Sequence, residues 1–327
     1  MIEPLTLGAI EGCHETFSRL LHPPLGHLPN VSSRQARAYW LDEVKKDLSD
    51  PSAAAWIARR SDESSGLLLF LDAPWETKIV EEPVGTLRHF ALTNRGEDNE
   101  ALDELLQTAL QHAVDRGIRC LVCKLDPREV ATIHALERHG FLLMDSLLDF
   151  VFDYPAPAPN ERKTAGAEGG LQIRPSTEED IAEVTAIAER AFADYFGRYH
   201  ADPRVSRAAA TNFYRKWVES SFAGWADLIL VAEVDRQIAG FGIWKKASEL
   251  EARHGLGLAH YNLAGIHPDF SGRGLYSALA AEGMERIRPF ASHLIGPVHV
   301  SNFPVHRALH RLGWKIRGAR HSFHKWL

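Results

Sequence analysis

A short segment at residues 266–279 combines residue types that can bind phosphate oxygens. Gly272 and Gly274 carry no Cβ, so the backbone there can turn tightly and approach a ligand closely. The helix expected to follow presents unpaired N–H groups at its positively polarised start, and such groups attract anions. Arg273 adds a fixed positive charge between the two glycines. The segment therefore predicts a strand-to-helix turn that can hold a phosphate group.

A second set of signals follows this loop. Residues 294–300 alternate like a strand, and Asn302 then stands in the position of a helix N-cap. The helix expected over residues 305–312 ends at Gly313, a residue type typical of C-caps, with Trp314 after it. The loop, the strand and the asparagine-led helix, at these separations, resemble the GNAT superfamily of N-acetyltransferases.

The resemblance implies that the chain takes acetyl-CoA as a co-substrate and binds its diphosphate in the loop. The residues implied at the diphosphate are Ser271, Gly272, Arg273, Gly274, Leu275 and Tyr276. The usual pattern of the family is Arg or Gln, two residues, Gly, one residue, then Gly or Ala. Ser271 and Tyr276 depart from that pattern, and Gly274 fits it strictly.

The strand that feeds the loop is expected to separate from the strand at 294–300. A gap between two strands would let the pantetheine arm form hydrogen bonds like an added strand. Backbone N–H groups on the first strand would polarise the thioester oxygen as negative charge develops on it. The strand residues implied in this binding are Leu263, Ala264, Gly265 and Ile266.

Two catalytic residues are predicted, and one family residue is missing. The resemblance implies that Asn302 helps to fix the thiol end of the co-substrate, beside its N-capping role. His260, at the mouth of the strand, titrates near neutrality and is a candidate general base. Many GNAT enzymes place a tyrosine acid seven residues after the asparagine, where this chain has Leu309. What replaces this tyrosine acid remains open: another tyrosine, a water chain, His306, or departure of the thiolate without an acid.

The acceptor is predicted to lie near a loop in the second half of the chain. Arg198 and His200 are candidates there, because an arginine suits a sugar diphosphate, and Tyr261 is assigned to the same role. The segments 74–77 and 197–203 resemble two motifs of the TDP-fucosamine (TDP-4-amino-sugar) N-acetyltransferases, with substitutions in both. That resemblance covers roughly residues 66–327.

The chain is predicted to hold two domains. A proline- and glycine-rich linker at 155–170 separates residues 1–154 from residues 171–327. The frame Ala-Leu-x-Arg-x-Gly-aromatic occurs at 135–141 and again at 308–314, each time before an alternating strand, which indicates duplication. The predicted fold class is α/β (α+β): tandem GNAT-like folds, each a mixed, mostly antiparallel sheet flanked by helices.

The first domain is predicted to be partial and degenerate. Its candidate loop at 95–99 is acidic and has no glycine pair, so it would repel a diphosphate. We therefore expect residues 1–154 to lack a CoA loop of their own and residues 171–327 to form the full acetyl-CoA-binding domain. The role of residues 1–65 is not determined by the sequence.

The composition and charge of the chain limit which partners and which location are expected. A net charge of -6 argues against nucleic acid as the main partner. No apolar run approaches a membrane span and no basic leader is visible, so the cytoplasm is the expected location. Cys120 and Cys123 lie in an apolar strand and are expected to be buried thiols, and the 17 histidines show no ligand spacing, so no metal is predicted.

Three functions are compatible with these residues. The favoured one is N-acetyl transfer from acetyl-CoA to a primary amine of a small molecule, which includes a nucleotide-linked amino sugar. The alternatives are a protein or peptide N-acetyltransferase and a non-catalytic acyl-CoA-binding module. The acceptor, the acyl length and the oligomeric state, including a homodimer, stay open.

Overall fold

The computed structural model describes residues 1–10, 22–60, 63–92, 99–154 and 170–327. The chain divides into two compact units. Unit 1 consists of Met1–Ser146 and Ala319–Leu327, and unit 2 consists of Leu147–Gly318. These bounds differ from the sequence-based division at 154. The strand at Leu142–Asp153 begins in unit 1 and ends in unit 2, and the strand at Lys315–Trp326 begins in unit 2 and ends in unit 1. The linker expected at 155–170 lies, except for Gly170, outside the described residues.

Unit 1 holds a mixed sheet with helices packed on it. Its strands are β1 (Ile2–Pro4), β2 (Ala54–Arg60), β3 (Glu63–Asp72), β4 (Val84–Leu92) and β5 (Cys120–Leu125). Its helices are α1 (Ser33–Leu48), α2 (Pro74–Val80), α3 (Asn99–Asp115) and α4 (Val130–Arg138). The strands follow one another in sequence order, and residues 321–326 pair antiparallel with β5 at the end. Among the strand pairs of the described part of this unit, β4 and β5 run parallel and the others antiparallel.

Apolar periodicity explains how α3 packs in unit 1. Leu102, Leu105 and Leu106 recur at helical spacing, are fully buried, and join Phe70 of β3 in one cluster. The sequence predicts a start for α4 at Asp126, with a capping box. The helix starts at Val130 instead, because the Asp126 carboxylate accepts the backbone N–H of Arg128 at 2.8 Å and so closes a turn ahead of the helix.

The two cysteines of β5 are buried in different apolar clusters, as strand alternation predicts. Neither of these two cysteines forms a disulfide bond in the described part of the chain. Burial raises the pKa of Cys123 to about 12, so the thiol stays protonated and unreactive at neutral pH.

Unit 2 holds the second mixed sheet. Its strands are β6 (Leu142–Asp153), β7 (Leu171–Pro175), β8 (Leu228–Val234), β9 (Gln237–Lys246), β10 (Leu258–Ile266), β11 (His293–His299) and β12 (Lys315–Trp326), with the first residues of β6 and the last of β12 in unit 1. Its helices are α5 (Ile181–Ala191), α6 (Arg198–Ala201), α7 (Arg207–Ser220), α8 (Glu249–Arg253), α9 (Leu275–Ile287) and α10 (Phe303–Arg311). The order in the sheet is β6-β11-β10-β9-β8-β7, and β10 and β11 run parallel.

Helices cover both faces of the unit 2 sheet. On one face, residues of α9 and α10 pack with Trp244, Tyr261 and Trp314. On the other face, α5 and α7 pack with Phe241 and Leu263. The two faces therefore offer different surroundings to the alternating side chains of β10 and β11.

The predicted capping box is shifted by one residue, and it closes a 3₁₀ turn (Glu178–Asp180) that leads into α5. The sequence predicts a capping box of Ser176 and Glu179, whereas Thr177 and Asp180 form it. Two hydrogen bonds from Arg174, at 2.7 and 3.0 Å, hold the Asp180 carboxylate in place, and this carboxylate accepts the Thr177 N–H. Across the described part of the chain, no helix is both long and apolar enough to span a membrane.

Candidate functional site

Strands β10 and β11 pair only at their beginnings. The register joins Leu258–His260 to residues 293–295, although β10 continues to Ile266 and β11 to His299. Asn262 is skipped in the pairing with β9, because Tyr261 faces Trp244 and Leu263 faces Ile243. Such a bulge bends and twists its strand. The bulge lies where β10 and β11 cease to pair, so the gap expected beside residues 263–266 is present.

The glycine loop lies at the end of β10. After a 3₁₀ turn (Pro268–Phe270), Gly272 and Gly274 have φ values of 77° and 78°. A Cβ at either glycine would meet no atom within 4 Å, so glycine is required there by backbone conformation rather than by crowding. Gly274 is the N-cap of α9 and has no side chain to cap it. The first N–H groups of a helix have no partner within the helix, so the loop offers donors and open space.

The other loop residues surround these amides. Arg273 lies over the ring of Phe270 at 5.0 Å and donates to the carbonyl of Asp269 at 3.3 Å. Its charge therefore stays beside the loop. Ser271 is exposed, whereas Leu275 is buried and anchors the first turn of α9.

A buried histidine joins this loop to α5. Arg190 donates to Nε2 of His267 at 2.6 Å, and the backbone N–H of Asp269 lies 3.2 Å from Nδ1 of the same ring. His267 is 7% exposed. The sequence does not predict this contact, because a histidine before a proline carries no signal for a partner so distant in the chain.

Asn302 follows the end of β11 by three residues. It is the N-cap of α10, and its Oδ1 accepts the Val305 N–H at 3.4 Å. Its backbone N–H donates to the carbonyl of His299 at 2.9 Å, and Nε2 of His306 donates to the same oxygen at 2.9 Å. The Nε2–H group of His306 is therefore occupied by a hydrogen bond to the backbone. Leu309 is fully buried in the core under α9 and α10.

His260 contacts Glu251 at hydrogen-bond distance. Nε2 of His260 lies 3.0 Å from Oε1 of Glu251, whose other oxygen accepts the N–H of Ser248 and caps α8. Burial by itself raises the pKa of Glu251, but the bonds from His260 and Ser248 outweigh it and the pKa lies below its ordinary value. His260 lies in the paired part of β10, before the bulge. Its role as a base stays a prediction.

The three residues predicted at the acceptor are not brought together. Arg198 donates to the hydroxyl of Tyr199 at 2.8 Å and covers its ring. Burial, and then the charge of Arg207, lower the pKa of His200, so this ring is neutral at pH 7. Tyr261 stacks on Trp244 at 3.9 Å under α9, and burial raises its pKa well above the ordinary value. Tyr261 thus lies in the core on the other face from α6.

Three residues near the end of β11 were not predicted from the sequence. His299 is 5% exposed, and its ring centroid lies 6.1 Å from Tyr195 and 5.9 Å from Phe196. Phe196 is 57% exposed, although His299, whose ring it contacts, is buried. The one signal available was the position of His299 three residues before Asn302, at the end of an alternating strand.

Comparison with known proteins bears on the fold. No protein-family sequence model matches the chain. A spore coat polysaccharide biosynthesis protein, SpsD of Bacillus subtilis, is 18% identical over 301 residues, which cover 90% of this chain and 95% of that protein. A GCN5-related N-acetyltransferase from Sphaerobacter thermophilus superposes with a TM-score of 0.61 at 15% identity and covers 100% of this chain and 95% of its own.

A tandem arrangement is also among the similar structures. A tandem GNAT protein from the clavulanic acid biosynthesis pathway has a TM-score of 0.58 at 12% identity, over 100% of this chain and 98% of its own. This chain has a mixed sheet flanked by helices that matches GNAT folds. The predicted mixed sheets flanked by helices are therefore confirmed. A glucosamine N-acetyltransferase region of a fungal multi-domain β-N-acetylglucosaminidase has a TM-score of 0.62 at 13% identity, over 99% of this chain and 38% of that protein.

Proposed function

We propose that the protein transfers an acetyl group from acetyl-CoA to a primary amine of a small molecule. The observation that carries the proposal is the combination within unit 2 of a strand gap and an uncapped helix start. The gap begins at the Asn262 bulge of β10, and the glycine loop at the end of the same strand leads into α9. One extended ligand with a phosphate group at one end would use both features.

The residues present fit acetyl-CoA. The open space above Gly272 and Gly274 admits a diphosphate, and the α9 N–H groups would donate to its oxygens. The facing edges of residues 263–266 and 296–298, which do not pair with each other, would accept the pantetheine arm as an added strand. We propose that Asn302 borders the thiol end of this gap.

The chemistry requires positioning more than activation. Acetyl-CoA supplies a reactive thioester, so the protein has chiefly to hold a neutral amine against the carbonyl carbon. Backbone N–H groups in 263–266 would donate to the oxygen that becomes negative in the transition state. Leu309 cannot donate a proton, so the departing thiolate takes its proton from another group or from water.

We propose an amino sugar as the acceptor class. Three observations support it: the likeness to SpsD, the likeness to a glucosamine N-acetyltransferase region, and the exposed ring of Phe196 beside His299. An exposed aromatic ring offers a flat apolar surface on which one face of a sugar ring can lie. The segment 197–203, which resembles a motif of the amino-sugar acetyltransferases, follows Phe196 directly.

Unit 1 is proposed to contribute no second acetyl-CoA site. Glu97 and Asp98 precede α3 in the place of the glycine pair, and two carboxylates would repel a diphosphate. Residues 93–98 lie outside the described residues, so this proposal rests on residue type alone.

Measuring CoA release with a panel of amines tests the proposed function. Glucosamine, a nucleotide-linked amino sugar, a polyamine and a lysine peptide make a suitable panel. Turnover of a sugar amine is expected, and turnover of the peptide alone would favour a protein N-acetyltransferase. The buried Leu309 favours a second candidate, a non-catalytic acyl-CoA-binding module, which would bind CoA tightly and acetylate none of the panel.

A further inference from the structure

The bulge in β10 places one side chain where β10 and β11 separate. The two strands pair at Leu258–His260, and a Cβ built on Gly296 of β11 would still lie 3.5 Å from the carbonyl oxygen of Tyr261. Asn262 is the next residue of β10, and it is the residue that the pairing with β9 skips. Asn262 is therefore the first residue of β10 that borders the gap.

The side chain of Asn262 carries a buried donor without a partner. Its Nδ2 atom is sealed from solvent and forms no hydrogen bond within the described part of the chain. An amide nitrogen has two N–H groups to donate, and leaving them unpaired in the interior costs free energy comparable to that of a lost hydrogen bond. Such groups are rare in folded proteins, so each one requires a specific explanation. A ligand that brings an oxygen atom to this point would supply the missing partner.

The two neighbours of Asn262 in the chain hold the bulge in place. Tyr261 stacks on Trp244 in the core under α9, whereas Leu263 packs with Phe241 on the face covered by α5 and α7. Side chains two residues apart on a regular strand share one face, so the alternation of β10 breaks at Asn262. Bulges redirect side chains and are over-represented beside active sites. Packing of the two neighbours on opposite faces therefore fixes where the Asn262 side chain leaves the strand.

The position of Asn262 along the gap indicates which part of acetyl-CoA reaches it. The glycine loop, proposed to hold the diphosphate, follows the other end of β10, after Ile266. From Asn262 to Ile266 an extended strand spans about 13 Å. A pantetheine arm that runs from the loop along residues 263–266 therefore ends with its acetyl group beside the bulge.

We propose that the side-chain amide of Asn262 donates a hydrogen bond to the carbonyl oxygen of the acetyl group. This contact rests on the proposed function, and it adds a side-chain donor to the backbone N–H groups assigned there. The carbonyl oxygen gains negative charge when the amine adds to the thioester. A donor held in a site that excludes water stabilises that charge more than a donor in bulk water does. Asn262 is thus a catalytic residue in this proposal, because it touches the reacting group.

The electrons and protons balance without another reactant. The amine lone pair forms the C–N bond, and the carbonyl π electrons move onto the oxygen, which accepts the Asn262 N–H. Collapse of the tetrahedral intermediate restores the C=O bond and breaks the C–S bond, whose electron pair leaves with the sulfur. The amine nitrogen loses one proton to water, and the CoA thiolate takes one proton from water. Asn262 keeps both of its amide protons throughout.

Two variants of the full chain test the amide, with a control in unit 1. Asn262→Leu removes the donor and keeps the branched shape of the side chain, and Asn262→Asp replaces the donor by an acceptor. Thr132→Val is the control, because the Thr132 hydroxyl in α4 is also buried without a partner among the described residues. Asn262→Leu and Thr132→Val both delete an unpaired polar group, so neither should lower the free energy of unfolding in urea.

Binding measured without an acceptor distinguishes a donor to the acetyl group from a structural residue. CoA lacks the acetyl oxygen, so Asn262→Leu should weaken acetyl-CoA binding about three- to tenfold and leave CoA binding within about twofold. Calorimetry should give Thr132→Val the same ratio of the two affinities as the wild type. The carbonyl stretching frequency of bound acetyl-CoA, isotope-labelled at that carbon, should be higher in Asn262→Leu than in the wild type, because a hydrogen bond lowers it.

Turnover reports the same contact in the transition state. With the best amine of the panel, Asn262→Leu should lower kcat about 10²-fold. Asn262→Asp should lower kcat further, because a carboxylate repels the developing negative charge. KM for the amine should change less than kcat, since Asn262 touches the acetyl group and not the acceptor. Thr132→Val should keep the wild-type kcat.

The outcomes separate the two proposals. Wild-type protein that binds neither CoA nor acetyl-CoA contradicts the proposed function, and the Asn262 contact falls with it. If Asn262→Leu matches the wild type in acetyl-CoA preference and in carbonyl frequency, the contact is overturned, and turnover of an amine by the wild type leaves the proposed function standing. A clear loss of stability in Asn262→Leu would mean that the fold itself uses the amide, and this result also overturns the contact.

Discussion

The indole of Trp244 fills the space that a side chain at residue 283 would occupy. A Cβ built on Gly283 of α9 would lie 2.2 Å from Cε2 of Trp244, a distance that real contacts do not allow. The glycine thus lets α9 approach β9 closely, and Trp244 in turn stacks on Tyr261, directly before the Asn262 bulge. This contact fixes the position of the helix whose first turn forms the glycine loop.

Gly283→Ala should destabilise the protein by about 1–3 kcal/mol, because overpacking exceeds the gain in helix propensity. The free energy of unfolding in urea measures the loss. Gly8→Ala is the control, since a Cβ there meets nothing within 4 Å. An equal or higher stability of Gly283→Ala would show that α9 can shift away from Trp244 at little cost.

Gly274→Val should abolish CoA binding at a moderate cost in stability. The φ of 78° disfavours a β-branched residue by about 1–3 kcal/mol, and the new side chain occupies the open space of the loop. Gly117→Val is the matched control, because Gly117 has a φ of 72° and equally open surroundings. Calorimetry with CoA should show a loss for Gly274→Val alone. Equal CoA affinity in the two variants would contradict the loop assignment.

Glu251→Gln should destabilise the protein at neutral pH and not at low pH. The pKa of Glu251 is lower in the folded state than its ordinary value, so its stabilisation is present above about pH 4.5 and is lost as pH falls through the folded-state pKa. We expect a loss of about 1–3 kcal/mol at pH 7. Urea unfolding at pH 7 and pH 3 measures it. A difference that is constant with pH would mean that the carboxylate is not ionised in the fold.

Leu309→Tyr should place a tyrosine where many GNAT enzymes have one, without supplying an acid. Residue 309 is fully buried under α9 and α10, so a larger polar side chain overpacks the core and costs about 1–3 kcal/mol. Unfolding measurements and kcat with the best amine check both parts. A higher kcat in Leu309→Tyr would place this position at the reacting thioester. Leu309→Met is the volume-conserving control and should change neither quantity much.

Local patterns predict most elements of unit 2, and the exceptions have physical causes. The hairpin between β8 and β9 is expected from its turn, and Asp235 and Arg236 do adopt the positive φ values that such a turn requires. The residue that caps a helix is predicted less accurately, because several polar residues near a helix start can accept its first backbone N–H groups. Thr177 caps instead of Ser176, since Arg174 fixes the Asp180 carboxylate that completes the box.

The sequence alone determined what depends on neighbouring residues: the two left-handed glycines before α9, the asparagine cap of α10 and the alternation of β10 and β11. Only the tertiary structure decided which strands pair. It placed Asp149 beside β11 and gave His260 a partner in Glu251, and it moved Tyr261 into the core. The physical reason is that the alternation of residues along a strand indicates which of its side chains share a face. The partner strand is chosen by packing between segments far apart in the chain.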